Sequence, residues 1–321
     1  MDAQFYIDGV LQKKRAVIAK TITLIESSLP AHQQLAGDIL DGLLPYAGNA
    51  IRIGISGVPG VGKSTFIESF GMMLIEKGHR IAVLAVDPSS SRSGGSIMGD
   101  KTRMEKLALH PNAFIRPSPT SGTLGGVAKK TRESMIICEA DGHDVVLVET
   151  VGVGQSETAV ASMVDFFLVL MLAGAGDELQ GIKKGILELA DAIAINKADG
   201  DNQDRVARAK KDLENAMHLI LPASASWQTP VMTCSSVIEN GTVPVWETVL
   251  KHRKIFKASG EFDQRRKNQA LEWMWTLVEE GLKQMFKDNR EINAQIPKVS
   301  GQVAEGEISP TAAARTLLSY L

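Results

Sequence analysis

One stretch limits what this chain can fold into more than any other: Gly57-Val58-Pro59-Gly60-Val61-Gly62-Lys63-Ser64-Thr65. It follows the apolar run Ile51-Arg52-Ile53-Gly54-Ile55 and opens the helical pattern Thr65 to Phe70. This is the strand, loop and helix context that the G-x-x-x-x-G-K-[ST] phosphate-binding motif requires. Gly57, Gly60 and Gly62 let the backbone take positive φ and bring N–H groups against phosphate oxygens with no Cβ in the way. The helix starting near Lys63 aims its positive dipole end at the same point. Lys63 supplies a point charge for the β and γ phosphates, and the Ser64 hydroxyl is placed to be a Mg²⁺ ligand.

Around that loop the pattern is α/β. Short β-rich runs near 51–55, 80–86, 113–116, 144–149, 165–172, 191–195 and 230–234 alternate with helical stretches, which predicts a mostly parallel central sheet covered on both faces. Several runs are apolar throughout, such as Val145 to Val148 and Phe166 to Leu170, as strands buried on both faces require. In such a sheet the chemistry collects in the loops beyond the carboxyl ends of the strands.

Those loops are informative in turn. The second strand ends at Asp87 and runs into the polar loop Pro88 to Ser96, a candidate nucleotide-sensing switch. Asp87 and Asp100 are in range of a metal; Asp100 also reads as the cap of the helix starting at Lys101. The strand near 144–149 ends in Glu149-Thr150-Val151-Gly152-Val153-Gly154-Gln155-Ser156-Glu157. A carboxylate there holds Mg²⁺ or its water, and the following glycine offers an N–H to the γ-phosphate. GTPases mostly carry Asp-x-x-Gly at this point, so Glu149-x-x-Gly152 is a departure. Gln155 stands where a water-positioning side chain is useful, and equally where a helix begins.

The strand near 191–195 delivers Asn196-Lys197-Ala198-Asp199, the N-K-x-D base motif of GTPases. Asp199 accepts from guanine N1–H and N2–H₂, Asn196 holds the loop, and the Lys197 stem lies along the ring. Adenine has no such donor pair and leaves the carboxylate unpaired, which costs up to about 10⁴-fold in affinity. Cys234-Ser235-Ser236 is the remaining base-side loop, with backbone N–H groups for the guanine carbonyl. Cys234 itself reads as a small buried apolar residue. The expected ligands are therefore GTP or GDP with Mg²⁺.

The flanks are helical. Residues 10–46 read as two helices interrupted at Pro30, with Lys13-Lys14-Arg15 on a solvated face. Leu271, Trp275, Val278, Leu282 and Met285 fall at alternating spacings of four and three, the seam of a helix that packs on another, in a second chain or in its own. Ser309-Pro310 starts a last short helix. The expected division is a helical extension over 1–48, a P-loop GTPase domain over 49–260 and a helical dimerisation region over 261–321. A formal net charge of −2 excludes an overall basic field for nucleic acid. Cys138 and Cys234 form no CxxC pair, and the longest apolar stretch, Phe166 to Gly176, is too short for a membrane span. A cytoplasmic protein is expected.

Taken together, the Gly57–Thr65 loop, Val86 to Ser90, Gly99 to Met104, Glu149 to Glu157 and Asn196 to Asp199 resemble the MeaB/ArgK-type GTPases over nearly the whole chain. The resemblance implies a homodimer that binds adenosylcobalamin-dependent methylmalonyl-CoA mutase, gates or protects its cofactor, and uses GTP hydrolysis as a timer. It also implies Mg²⁺ contacts from Ser64, Asp87, Asp100 and Glu149, a catalytic set of Lys63, Asp100, Glu149 and Gln155, and a third switch at 174–184. Arg92 and Arg103 are candidates for a built-in arginine finger. Two other readings compete: a kinase linked to amino-acid transport, opposed by the guanine motif, and a metal-insertion GTPase, opposed by the lack of a His-rich tract.

Overall fold

The computed structural model describes residues 1–86, 104–117, 124–150, 156–174, 184–220, 224–238 and 241–321. The chain forms two compact units, Met1–Phe262 and Asp263–Leu321.

The first unit begins with three helices, α1 (Ala3–Leu11), α2 (Arg15–Ile25) and α3 (Pro30–Leu43), where the sequence suggested two. The extra break falls at Lys13, which takes a left-handed φ of 58°, so Lys13 and Lys14 lie in the interhelical turn and only Arg15 is helical, all three exposed. Pro30 occupies the first turn of α3, where its missing N–H costs nothing.

A seven-stranded sheet follows, in the order β3-β2-β4-β1-β5-β6-β7. The strands are β1 (Ile51–Gly57), β2 (Ile81–Val86), β3 (Ala113–Arg116), β4 (Val145–Thr150), β5 (Phe166–Leu172), β6 (Ala192–Asn196) and β7 (Val231–Thr233). Every pairing is parallel, so "mostly parallel" becomes all-parallel. The connections carry α4 (Lys63–Glu76), α5 (Glu105–Leu109), α6 (Leu124–Ala140), α7 (Ser156–Ala161), α8 (Lys184–Leu189) and α9 (Gln203–Met217), and α10 (Val243–Ser259) follows β7.

Alternation along the strands splits the core into two layers. Ile53, Ile55, Val83, Leu147, Leu168 and Ala194 face Phe66, Phe70 and Leu74 of α4 with Val245, Trp246 and Val249 of α10. Leu84, Val146, Val148, Val169 and Ile193 face the other way, in one cluster with Ile22 of α2, Ile39 and Leu43 of α3, and Ile137 of α6. Burial on both faces explains why the central strands read as unbroken apolar runs. β1 lies between β4 and β5, with Ile55 opposite Glu149 and Gly57 opposite Leu170. The strand order reverses at β1, the position where open sheets of this kind bind ligands.

A long helix, α11 (Glu261–Asp288), leads into the second unit and is followed by α12 (Arg290–Ala304) and α13 (Pro310–Leu318). Asn289 caps α12 by accepting from Glu291 N and Ile292 N, and Ser309 caps α13 as its sequence predicts. Leu271, Trp275, Val278, Leu282 and Met285 of α11 are all exposed. Among the described residues no helix is long and apolar enough to cross a membrane.

Candidate nucleotide site

The loop after β1 takes the backbone that its glycines anticipate. Gly57, Gly60 and Gly62 have φ of 151°, 81° and 93°. A Cβ on Gly57 would stand 2.4 Å from the Leu170 carbonyl oxygen, so the close approach of β5 forbids a side chain there. Gly62 is the left-handed cap residue of α4 and gives that helix no side-chain cap. The first-turn N–H groups of Lys63, Ser64 and Thr65 therefore lack intrahelical acceptors and form the cradle an anion needs. Val58 and Val61 hold the turn through a 3.3 Å bond from Val61 N, while Pro59 and Gly60 are exposed at its tip.

Lys63 Nζ donates to Gly57 O at 2.6 Å and to Val58 O at 3.3 Å, bending back over the loop. Burial pushes its ammonium below the ordinary value, and the carboxylates of Glu149 and Glu157 act the other way. Ser64 Oγ lies 3.5 Å from Glu149 Oε1. Glu149, at the end of β4, is only 5% exposed.

The loop after β6 locks onto the phosphate loop. Asn196 Nδ2 donates to Val61 O at 2.9 Å, and Lys197 Nζ donates to Gly60 O at 3.1 Å. Lys197 takes a left-handed φ of 58° to do so. Asn196 Oδ1 accepts from Ser236 Oγ at 3.0 Å and from Cys234 Sγ at 3.6 Å. The Asp199 carboxylate accepts from the Ser235 hydroxyl. One side chain, Asn196, thus joins the phosphate loop to the loop after β7. Of the three base-side N–H groups expected there, two are taken within the protein: Cys234 N donates to Ile195 O and Ser235 N to Gly241 O.

Asp87, Asp100, Gln155, Gly152, Arg92, Arg103 and residues 175–183 of the expected third switch lie outside the described residues. Among the described residues no group of three or more His, Cys, Asp or Glu side chains forms a metal cluster. The structure adds a residue the motifs did not single out. Glu157, at the start of α7 and 6% exposed, accepts from Ser56 Oγ at 3.3 Å. Ser56 in turn accepts from Thr150 Oγ1 at 3.0 Å. The signal in the sequence was an acid two residues beyond Gln155, which carries no spacing rule of its own.

A parallel sheet with a phosphate cradle after its central strand and an Asn-Lys-x-Asp loop hydrogen-bonded onto that cradle defines a P-loop GTPase. A family model described as "Methylmalonyl Co-A mutase-associated GTPase MeaB" matches residues 18–291, and the chain belongs to that family. GTPase ArgK of Escherichia coli K12 is 47% identical over 97% of this chain and 94% of its own length. The mitochondrial methylmalonic aciduria type A homolog of Mus musculus is 45% identical over 97% of this chain and 77% of its own length. A crystal structure of a protein named "LAO/AO transport system kinase" superposes with a TM-score of 0.79 at 40% identity, covering 99% of this chain and 97% of that one. The chain is a GTP-hydrolysing enzyme that binds guanine nucleotide.

Proposed function

We propose that this GTPase is a chaperone of methylmalonyl-CoA mutase, gating or protecting the mutase's adenosylcobalamin through the GTP cycle. The observation that carries the reading is the match to mutase-associated GTPases over residues 18–291, which spans the nucleotide domain and part of both helical flanks. In this reading Gly57 to Thr65 hold the phosphates, with the Lys63 charge on the β and γ groups. Asn196, Lys197, Asp199 and the loop Cys234-Ser235-Ser236 hold guanine, and Gln155 orients the attacking water.

Ser64 and Glu149 are oxygen donors that converge to 3.5 Å, the donor chemistry Mg²⁺ takes, and Asp87 and Asp100 complete the set in this reading. When bound, the ion neutralises charge on the phosphates. The exposed seam of α11 pairs with a second copy of the chain, and the protein works in the cytoplasm.

The test is GTP turnover by the purified protein, alone and with the mutase, with ATP in parallel. A GTP-selective rate that rises several-fold with the mutase is the expected result. Selectivity without any response to the mutase refutes the partner. Equal use of ATP and GTP would return the kinase reading, in line with the name of the 40% identical protein.

A further inference from the structure

A second buried carboxylate stands beneath the phosphate loop, and neither motif accounts for it. Glu157 Oε1 accepts from Ser56 Oγ at 3.3 Å, and Ser56, fully buried, accepts from Thr150 Oγ1 at 3.0 Å. Ser56 is the residue before Gly57, whose carbonyl oxygen holds Lys63 Nζ at 2.6 Å. The partner of the carboxylate is thus one residue from the anchor of the loop's ammonium group. Its charge reaches that group: burial holds the Lys63 ammonium below its ordinary value, and Glu149 and then Glu157 act against it. Glu149 is accounted for as an oxygen donor to Mg²⁺, whereas Glu157 has no part in holding nucleotide or metal as proposed above.

The close seating of the carboxylate is built in. Gly54 lies two residues before Ser56 on the same face of β1. A Cβ there would stand 2.8 Å from Val160 Cγ1 of α7 and 2.8 Å from Phe167 Cδ2, so a side chain at this point would push α7 and its Glu157 away from Ser56. Burying a carboxylate is costly, and apolar side chains of similar size often join two elements as well or better. A charge held here at that cost acts on another charge. The loop above it is a cradle for an anion.

We propose that Glu157 loosens the grip on nucleotide: its negative charge offsets part of the positive field of the phosphate loop, so that GTP and GDP bind more weakly and leave sooner. The inference rests on the reading of Gly57 to Thr65 as the phosphate cradle. Two like charges about 10 Å apart, at an effective dielectric constant of about 20, repel enough to weaken binding roughly tenfold for each net charge on the bound nucleotide. The effect is therefore larger for GTP than for GDP. Changes of affinity at one site fall mostly on the release rate, and product release limits turnover in many enzymes.

The experiment measures GTP and GDP affinity, the GDP release rate and Tm for the full chain with Glu157→Gln, Glu157→Met, Ser56→Ala and Lys63→Ala, with Mg²⁺ present throughout. Glu157→Gln keeps the size of the side chain and an accepting oxygen but not the charge. It should bind GTP about tenfold more tightly, GDP by a smaller factor, and release GDP more slowly to match. Glu157→Met, apolar and of similar length, should shift affinity the same way and covers the case in which the amide disturbs the fold. Ser56→Ala breaks the link but keeps the charge, and should tighten binding far less. A purely structural role has the opposite sign, since losing a link that only seats α7 lowers Tm and weakens binding. Unchanged or weaker affinity in both Glu157 variants overturns the proposal, as does a Ser56→Ala variant that tightens binding as much as Glu157→Gln. Wild-type affinity in Lys63→Ala would discard the phosphate cradle itself. A loss of affinity there, beside no tightening in the Glu157 variants, would keep the cradle and discard the counter-charge.

Discussion

Asn196→Ala is the sharpest test of how the site is assembled. Asn196 is 1% exposed and links three loops, giving a bond to Val61 O and taking one from Ser236 Oγ. Each such bond contributes roughly 1 kcal/mol net, and a carbonyl left unpaired at the fully buried Val61 costs about 1–3 kcal/mol more. The total is about 3–5 kcal/mol. For a unit of this size, that corresponds to a fall in Tm of roughly 6–20 °C. The base loop must also be ordered anew when GTP binds, which weakens affinity by about ten- to a hundredfold. Calorimetry reads the first effect and titration with GTP the second. A variant with wild-type Tm and wild-type affinity would show that Asn196 does not organise the site.

Three further perturbations probe the base pocket, the helical arm and a buried thiol. Asp199→Asn replaces an acceptor by a donor and should move preference from guanine toward xanthine nucleotides in a competition assay; retained guanine selectivity would put the base elsewhere. Trp275→Glu on the exposed seam of α11 should turn a dimer into a monomer in sedimentation equilibrium without lowering Tm, and an unchanged mass would clear the seam of that role. Burial raises the Cys234 thiol from its ordinary 9.0 to about 12, so the unfolded chain loses this proton first and stability falls as pH rises from 9 to 12. Stability of Cys234→Ala should fall less steeply over that window, by up to about 1.4 kcal/mol per pH unit, and parallel curves would contradict the assignment.

The parts of the site legible in the sequence are those whose chemistry is local. Gly57 to Ser64 and Asn196 to Asp199 each complete their motif within nine residues, and each begins at the end of an apolar run, so strand, loop and role were readable together. All seven strands were legible for the same reason. What failed to show depends on distant partners. Glu157 gains its place from Ser56, 101 residues earlier, and from a glycine that admits α7. The use of Ser235 N within its own loop depends on Gly241 coming back across the turn. The break between α1 and α2 was hidden because a lysine holds the left-handed position where glycine is the usual marker. The α11 spacing gave a seam but not what covers it, since a helical period defines a face and not its partner.

The three N-terminal helices bear on whether nucleotide chemistry can run without them. Val10, Ile22, Ile39 and Leu43 are fully buried, and Ile18 is 3% exposed, in one core with Val146 and Val148 of the sheet. Five such side chains contribute about 8–15 kcal/mol by burial, as much as the whole net stability of an ordinary domain. Polar contacts reinforce the join: buried Glu139 of α6 accepts from Gly48 N and from Arg52 Nε, and Arg116 at the end of β3 pairs with Glu26. A chain beginning at Asn49 would carry every nucleotide motif yet leave bare the apolar side of α6 on which α2 and α3 pack. It should show no cooperative thermal transition and no GTP turnover, while binding a hydrophobic dye. A sharp melt within a few degrees of the full chain, with turnover intact, would mean that α6 needs no cover on its outer side. The apolar bookkeeping would then be wrong by the stability of a domain.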